Sequence, residues 1–273
     1  MRLFILYNLQ LEISNFLYKN LSKAQCWAQI QKSIIMKGGV LIIGSLLWDK
    51  HQGKYLNVRQ NWRTKRLNFN KRIHVFAPIR YGRTSNGIYT MVFSKLAEIN
   101  NNLGTIYFVP FKKEINSFNG IYNQAKYLSN AEGARDMKLV KGTNEVWCVI
   151  GILFNPNFDN ERKTALLNSF QQKLEEENLN DEYTKFCISP EVSILSAQGE
   201  INIKWPKTTN PKIQEELNSF DFMIATCPLQ NIESYPDAAT IKAAIPNDVR
   251  DYFYRNISNG ITTFQDREIM SLK

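Results

Sequence analysis

Apolar and polar positions along this chain follow two periods, and the strand-like one comes first. Val40–Ile43 is a short apolar run ending at Gly44-Ser45, the pattern of a buried strand entering a glycine turn. Similar runs predict strands over 73–77, closed by Pro78, over 87–94, over 104–111 with Pro110 near its end, and over 145–153. A helix is predicted over 114–130, where Ile115, Phe118, Ile121, Tyr122, Ala125 and Leu128 recur at helical spacing. Asp159-Asn160 caps a second helix over 161–177, with Leu166, Leu167, Phe170 and Leu174 on one face. A hairpin over 191–205 turning near Gln198-Gly199, a buried strand over 219–227, and helices near 237–244 (capped by Asp237) and 247–255 complete the pattern. Residues 78–85 read as a connection between strands, and 59–72 as a basic strand-loop with Trp62 in the core.

This order is not the regular strand–helix alternation of a doubly wound sheet, so an α+β class is expected. Residues 1–35 read apart from the rest, as one or two amphipathic helices with Leu11, Ile13, Phe16, Leu17 and Leu21 on one stripe. Met36 stands just ahead of the first strong strand, where a compact domain begins. The expected organisation is therefore an N-terminal extension over 1–35, a core over 36–157, and a C-terminal α/β region over 158–273 packed on that core. The extension reads either as lying upstream of the true start or as a partner-binding helix.

Charge sharpens this picture. The formal net charge is +9, and no acidic residue occurs between Asp49 and Glu98. That stretch carries Lys50, Lys54, Arg59, Arg63, Lys65, Arg66, Lys71, Arg72, Arg80, Arg83 and Lys95. Such a block implies an anionic partner: a carboxylate or phosphate ligand, or nucleic acid. For nucleic acid, Trp62 and Phe69 supply aromatics, but no RRM, KH or helix-turn-helix pattern accompanies them. Cys26, Cys148, Cys187 and Cys227 are far apart and the histidines are His51 and His74, so no metal site and no cofactor is expected. Cys148 and Cys227 suit a core in a reducing compartment. No apolar run reaches the roughly 18–20 residues that span a bilayer, and no signal-peptide cleavage site follows the apolar start. A cytoplasmic protein without membrane contact is expected. P-loop, Gly-x-Gly-x-x-Gly and Gly-x-Ser-x-Gly patterns are absent.

Two short segments carry candidate chemistry. Ile43-Gly44-Ser45-Leu46-Leu47-Trp48 follows a strand, and successive N–H groups of such a turn hold an anion. Ala131-Glu132-Gly133 ends the 114–130 helix with a carboxylate. Pro78-Ile79-Arg80-Tyr81-Gly82-Arg83 adds two guanidinium groups suited to a bidentate carboxylate or phosphate contact.

Taken in order, these segments resemble the gamma-glutamylcyclotransferases and their ChaC-like relatives over about residues 38–155. Members begin with a strand ending in Tyr-Gly-Ser-Leu, often continuing to a Trp, and later carry a strand, a helix and a Glu-Gly. Here the strand is Gly104–Val109 and the Glu-Gly is Glu132-Gly133. The resemblance implies a small mixed β-barrel flanked by helices. It implies Glu132 as general acid/base, closing a γ-glutamyl amide to 5-oxoproline, and Gly44, Ser45 and Leu46 as backbone donors. Arg80 or Arg83 is expected to hold the substrate α-carboxylate. The chain departs from the pattern at Ile43, where members have an aromatic ring, in the longer helix before Glu132, and beyond residue 157, which has no counterpart. The alternatives are a non-catalytic domain of the same fold binding a small anion or a protein partner, and a nucleic-acid binder using the 50–97 block.

Overall fold

Two strands from opposite halves of the chain lie side by side in the middle of the sheet. β1 (Gly38–Ile42) pairs in parallel with β8 (Phe222–Pro228), Val40 standing opposite Ile224. Every residue of β1 is buried, as are the first six of β8, the continuous apolar pattern of strands covered on both faces. The computed structural model describes residues 35–49, 56–133, 138–141, 145–185, 194–230 and 234–272. The helical reading of 1–34 and the start of the 191–205 hairpin lie outside them.

Around the central pair, β2 (Ile73–Ala77), β5 (Gly104–Pro110), β6 (Lys138–Lys141) and β7 (Glu145–Phe154) complete a six-stranded sheet in the order β2-β5-β1-β8-β7-β6. Its edges, β2 and β6, do not meet. The barrel implied by the resemblance is therefore corrected to an open mixed sheet with helices, an α+β architecture. Pro78 ends β2, having no N–H to continue the ladder. The chain then forms a separate hairpin, β3 (Ile79–Ser85) with β4 (Ile88–Phe93).

That hairpin corrects the reading of 78–85 as a connection. Ser85 pairs with Ile88 across a two-residue loop, Asn86-Gly87, with φ of 53° and 79°. Both central residues at positive φ is the turn geometry that suits twisted strands. A bulge between Tyr81 and Arg83 shifts the register.

The basic segment also differs from expectation. Residues Leu56–Arg66 form a helix, α1, with Trp62 buried. α2 (Lys95–Ile99) follows β4. α3 (Phe118–Ala131) starts at Ser117, whose side chain accepts from the Gly120 N–H. α4 (Asn160–Glu176) is capped by Asp159 and α7 (Ala238–Ala244) by Asp237. Between those two come α5 (Asn180–Thr184) and α6 (Pro211–Asn218); α8 (Tyr252–Ser258) and α9 (Asp266–Ser271) close the chain. Around Gly199 the described part of the expected hairpin is present, with Leu195 opposite Ile201 in an antiparallel bridge and the Asn202 N–H donating to the Ile194 carbonyl at 2.7 Å.

One continuous apolar cluster runs from Met36 to Ile269. With β8 between β1 and β7, the region after 157 is part of the core and not a layer added to it. No described helix is long and apolar enough to cross a membrane.

Candidate functional site

The strand ends, α1, the end of α3, the β3–β4 hairpin and the start of α8 converge on a cavity of about 520 Å³. Gly44, Ser45 and Leu46 line it, as do Glu132 and Arg83. Arg80 does not. Arg80 stands opposite Val92 in the hairpin register and Arg83 opposite Thr90, so Arg80 lies two partner positions further from the cavity. Its guanidinium lies 3.7 Å above the Tyr235 ring, with Phe264 at 5.6 Å. Of the two expected arginines, Arg83 is the one that lines the cavity.

The glycine turn is short. Leu47 N–H donates to the Gly44 carbonyl at 3.1 Å, and Trp48 and Asp49 N–H groups donate to that of Ser45 at 3.2 and 2.7 Å. The N–H groups of Ser45 and Leu46 have no backbone acceptor among the described residues, and both residues line the cavity. Two arginines one helical turn apart on α1 hold this turn in place. Arg63 donates to the carbonyls of Leu46 at 2.7 Å and Asp49 at 2.9 Å. Arg59 donates to the Asp49 carboxylate at 2.5 Å and to the Ala131 carbonyl at 2.7 Å. The same helix therefore ties the glycine turn to the end of α3.

Glu132 is the C-cap of α3, and Gly133 at φ +93° takes the left-handed conformation that ends the helix. An added Cβ at Gly133 would meet nothing, so backbone conformation alone accounts for glycine there. The Glu132 side chain keeps 12% of its surface, and its carboxylate lies 3.9 Å from Arg59 Nη2. Burial raises its pKa above the ordinary carboxylate value; Arg59 and the Thr226 hydroxyl pull it back only in part. Among the described residues the buried Thr226 hydroxyl completes no hydrogen bond. The helix C-terminus adds its own bias against negative charge.

Sequence reasoning missed Tyr252 and Arg250, which also line the cavity. A Cβ on Gly44 would lie 2.8 Å from Tyr252 Oη, so this glycine admits a phenol as well as a ligand. Trp48 Nε1–H donates to Asn256 Oδ1 at 2.8 Å, and the Trp48 and Tyr252 rings lie 6.2 Å apart. Arg250 is held by a loop in which Asp248 accepts from the Arg250 and Phe253 N–H groups at 3.2 and 3.0 Å. Asp251, with φ 56°, turns the chain into α8. No motif in Arg250-Asp251-Tyr252-Phe253 marks these residues.

Three arginines, Arg59, Arg83 and Arg250, and one carboxylate, Glu132, line the cavity among the described residues. That balance suits an anionic ligand. Arg83 also donates to the Leu229 carbonyl at 2.9 Å and lies over Trp147. Elsewhere in the basic block Arg66 covers the Tyr127 ring at 3.8 Å and the aromatic Trp62 is buried, while Lys65, Lys71 and Arg72 are exposed. Among the described residues no three His, Cys, Asp or Glu side chains gather to hold a metal ion. No protein-family model, curated protein or solved structure matches this chain.

Proposed function

We propose that the protein is a gamma-glutamylcyclotransferase-like enzyme, closing a γ-glutamyl amide to 5-oxoproline without a metal or cofactor. The observation that carries this reading is Glu132, with its pKa raised by burial, sharing a cavity with the Ser45 and Leu46 N–H groups, which have no backbone acceptor among the described residues. A carboxyl shifted upward is a better base near neutral pH and a usable acid in the next step. Glu132 takes a proton from the substrate α-amine, whose nitrogen attacks the γ-carbonyl carbon. The carbonyl oxygen gains negative charge beside the Ser45 and Leu46 N–H groups. Collapse breaks the amide C–N bond, and the leaving amine takes the proton from Glu132.

The test is release of 5-oxoproline from a panel of γ-glutamyl dipeptides, separated by chromatography. The rate is expected to rise with pH along a limb placed above the ordinary carboxylate value, because Glu132 must first lose its proton. Absence of 5-oxoproline with every peptide would leave the second reading, an anion-binding domain without turnover. That reading is favoured by the three arginines, Arg59, Arg83 and Arg250, that line the cavity against one carboxylate.

Arg83 and Arg250 are the groups placed to hold the substrate carboxylate. A lost charge-assisted contact costs about 1.5–3 kcal/mol, so Arg250→Ala is expected to raise KM roughly 10- to 100-fold with kcat little changed. Arg80→Ala, removed from the cavity, is expected to leave KM unaltered. Equal KM values in the two variants would remove Arg250 from the site.

A further inference from the structure

We propose that the Tyr252 hydroxyl is a third hydrogen-bond donor to the oxygen that becomes negatively charged, completing a cradle begun by the N–H groups of Ser45 and Leu46. This inference rests on the cyclotransferase reading above. Its basis is the bonding around one atom. Met91 N–H, 3.4 Å away, points its proton at Tyr252 Oη. The Asn256 amide is oriented by Trp48, whose indole can only donate and so must face Asn256 Oδ1. The Asn256 NH₂ group is thereby left for the phenol; it favours charge on the phenol oxygen without completing a hydrogen bond. The oxygen is thus surrounded by donors, while its own proton has no acceptor among the described residues. A phenol in that position, itself only 6% exposed and lining the cavity, presents its O–H to whatever enters.

Burial lifts the Tyr252 pKa to about 12, so the proton is present throughout the working range. The Glu132 charge is a smaller contributor to that rise. In the reaction Tyr252 keeps its proton. As the amine nitrogen bonds to the carbonyl carbon, the C=O electron pair moves to oxygen, and the O–H shortens its contact to that oxygen. When the pair returns and the C–N bond breaks, the contact relaxes. Gly44 belongs to the same device, since any side chain there would displace the phenol.

The test combines kinetics with a direct probe. Tyr252→Phe keeps the ring against Gly44 and removes only the O–H. Loss of one such donor typically costs 10²–10³-fold, so kcat on a γ-glutamyl dipeptide is expected to fall about 100-fold with KM within about twofold. In parallel, 5-oxoproline is titrated into the full chain carrying tyrosine labelled with carbon-13 at Cζ. Tyr252 is the one tyrosine lining the cavity among the described residues, so a single shifted resonance is expected and identifies it even where the variant does not fold. A kcat within twofold of wild type, or bound 5-oxoproline with every tyrosine resonance unmoved, would overturn the donor role. Wild-type protein that binds 5-oxoproline and shifts the resonance without turnover defeats the cyclotransferase reading and retains the donor. Neither binding nor turnover defeats both.

Discussion

Glu132→Gln is expected to lower kcat for 5-oxoproline release by about 10³-fold or more while making the fold more stable at neutral pH. General acid/base catalysis by a positioned side chain contributes roughly 10²–10⁴-fold, and glutamine can neither take nor return the proton. The stability effect follows from the same burial. Glu132 has a raised pKa in the folded chain, against an ordinary carboxylate value of 4.5. Between those two values the folded state holds more protons than the unfolded state, so stability falls as pH rises through that window. Glutamine carries no charge and escapes that loss. Arg59 retains Asp49 at 2.5 Å, so removing the Glu132 charge does not strand it. Thermal midpoints of the two proteins at pH 8 are expected to favour the variant, and the gap to close toward pH 4. A variant less stable than wild type at pH 8 would mean that the attraction of Arg59 outweighs the cost of burial.

Phe222→Ala is expected to destabilise the whole chain by about 3–5 kcal/mol, the usual cost of emptying a buried aromatic site. Phe222 is fully buried in β8, and its ring lies so close to Gly38 that a Cβ there would come within 2.4 Å. It also packs near Phe111, ring centroids 6.1 Å apart. Because β8 separates β1 from β7, the residues lost are shared by segments far apart in sequence. Urea denaturation should show one shifted transition by both circular dichroism and tryptophan fluorescence. Two transitions, only one of them moved, would mark an independent unit before residue 157. Val249→Ala, at a position 94% exposed, is the control and should stay within about 0.5 kcal/mol of wild type.

Particular residues show how far the sequence could be read. The strand expected over 73–77 occupies Ile73–Ala77, because alternation and a terminal proline are local signals. The caps Asp159 and Asp237 were legible for the same reason. α1 was not. Its residues, LNVRQNWRTKR, carry little apolar periodicity, and what holds it is tertiary: Arg59 and Arg63 reach carbonyls and a carboxylate elsewhere in the chain. The β3–β4 hairpin is signalled by Asn86-Gly87, but Arg80, Gly82 and Arg83 break the apolar alternation of 79–85, so the segment reads as a connection. In the site, Glu132 and the Gly44 turn stand out as short motifs. Arg250 and Tyr252 enter through a fold-back of about 200 residues that no local pattern encodes.

The place of β8 has a consequence for the chain as it is made. Until residue 228 has emerged, one flank of β1 lacks its neighbour and offers unpaired backbone groups to any passing strand. At roughly 5–20 residues per second, the 184 residues between Gly38 and Phe222 take on the order of ten seconds or more to appear. A nascent chain of this protein therefore carries an open strand edge for most of its synthesis, and chaperone occupancy on the ribosome should peak in that interval.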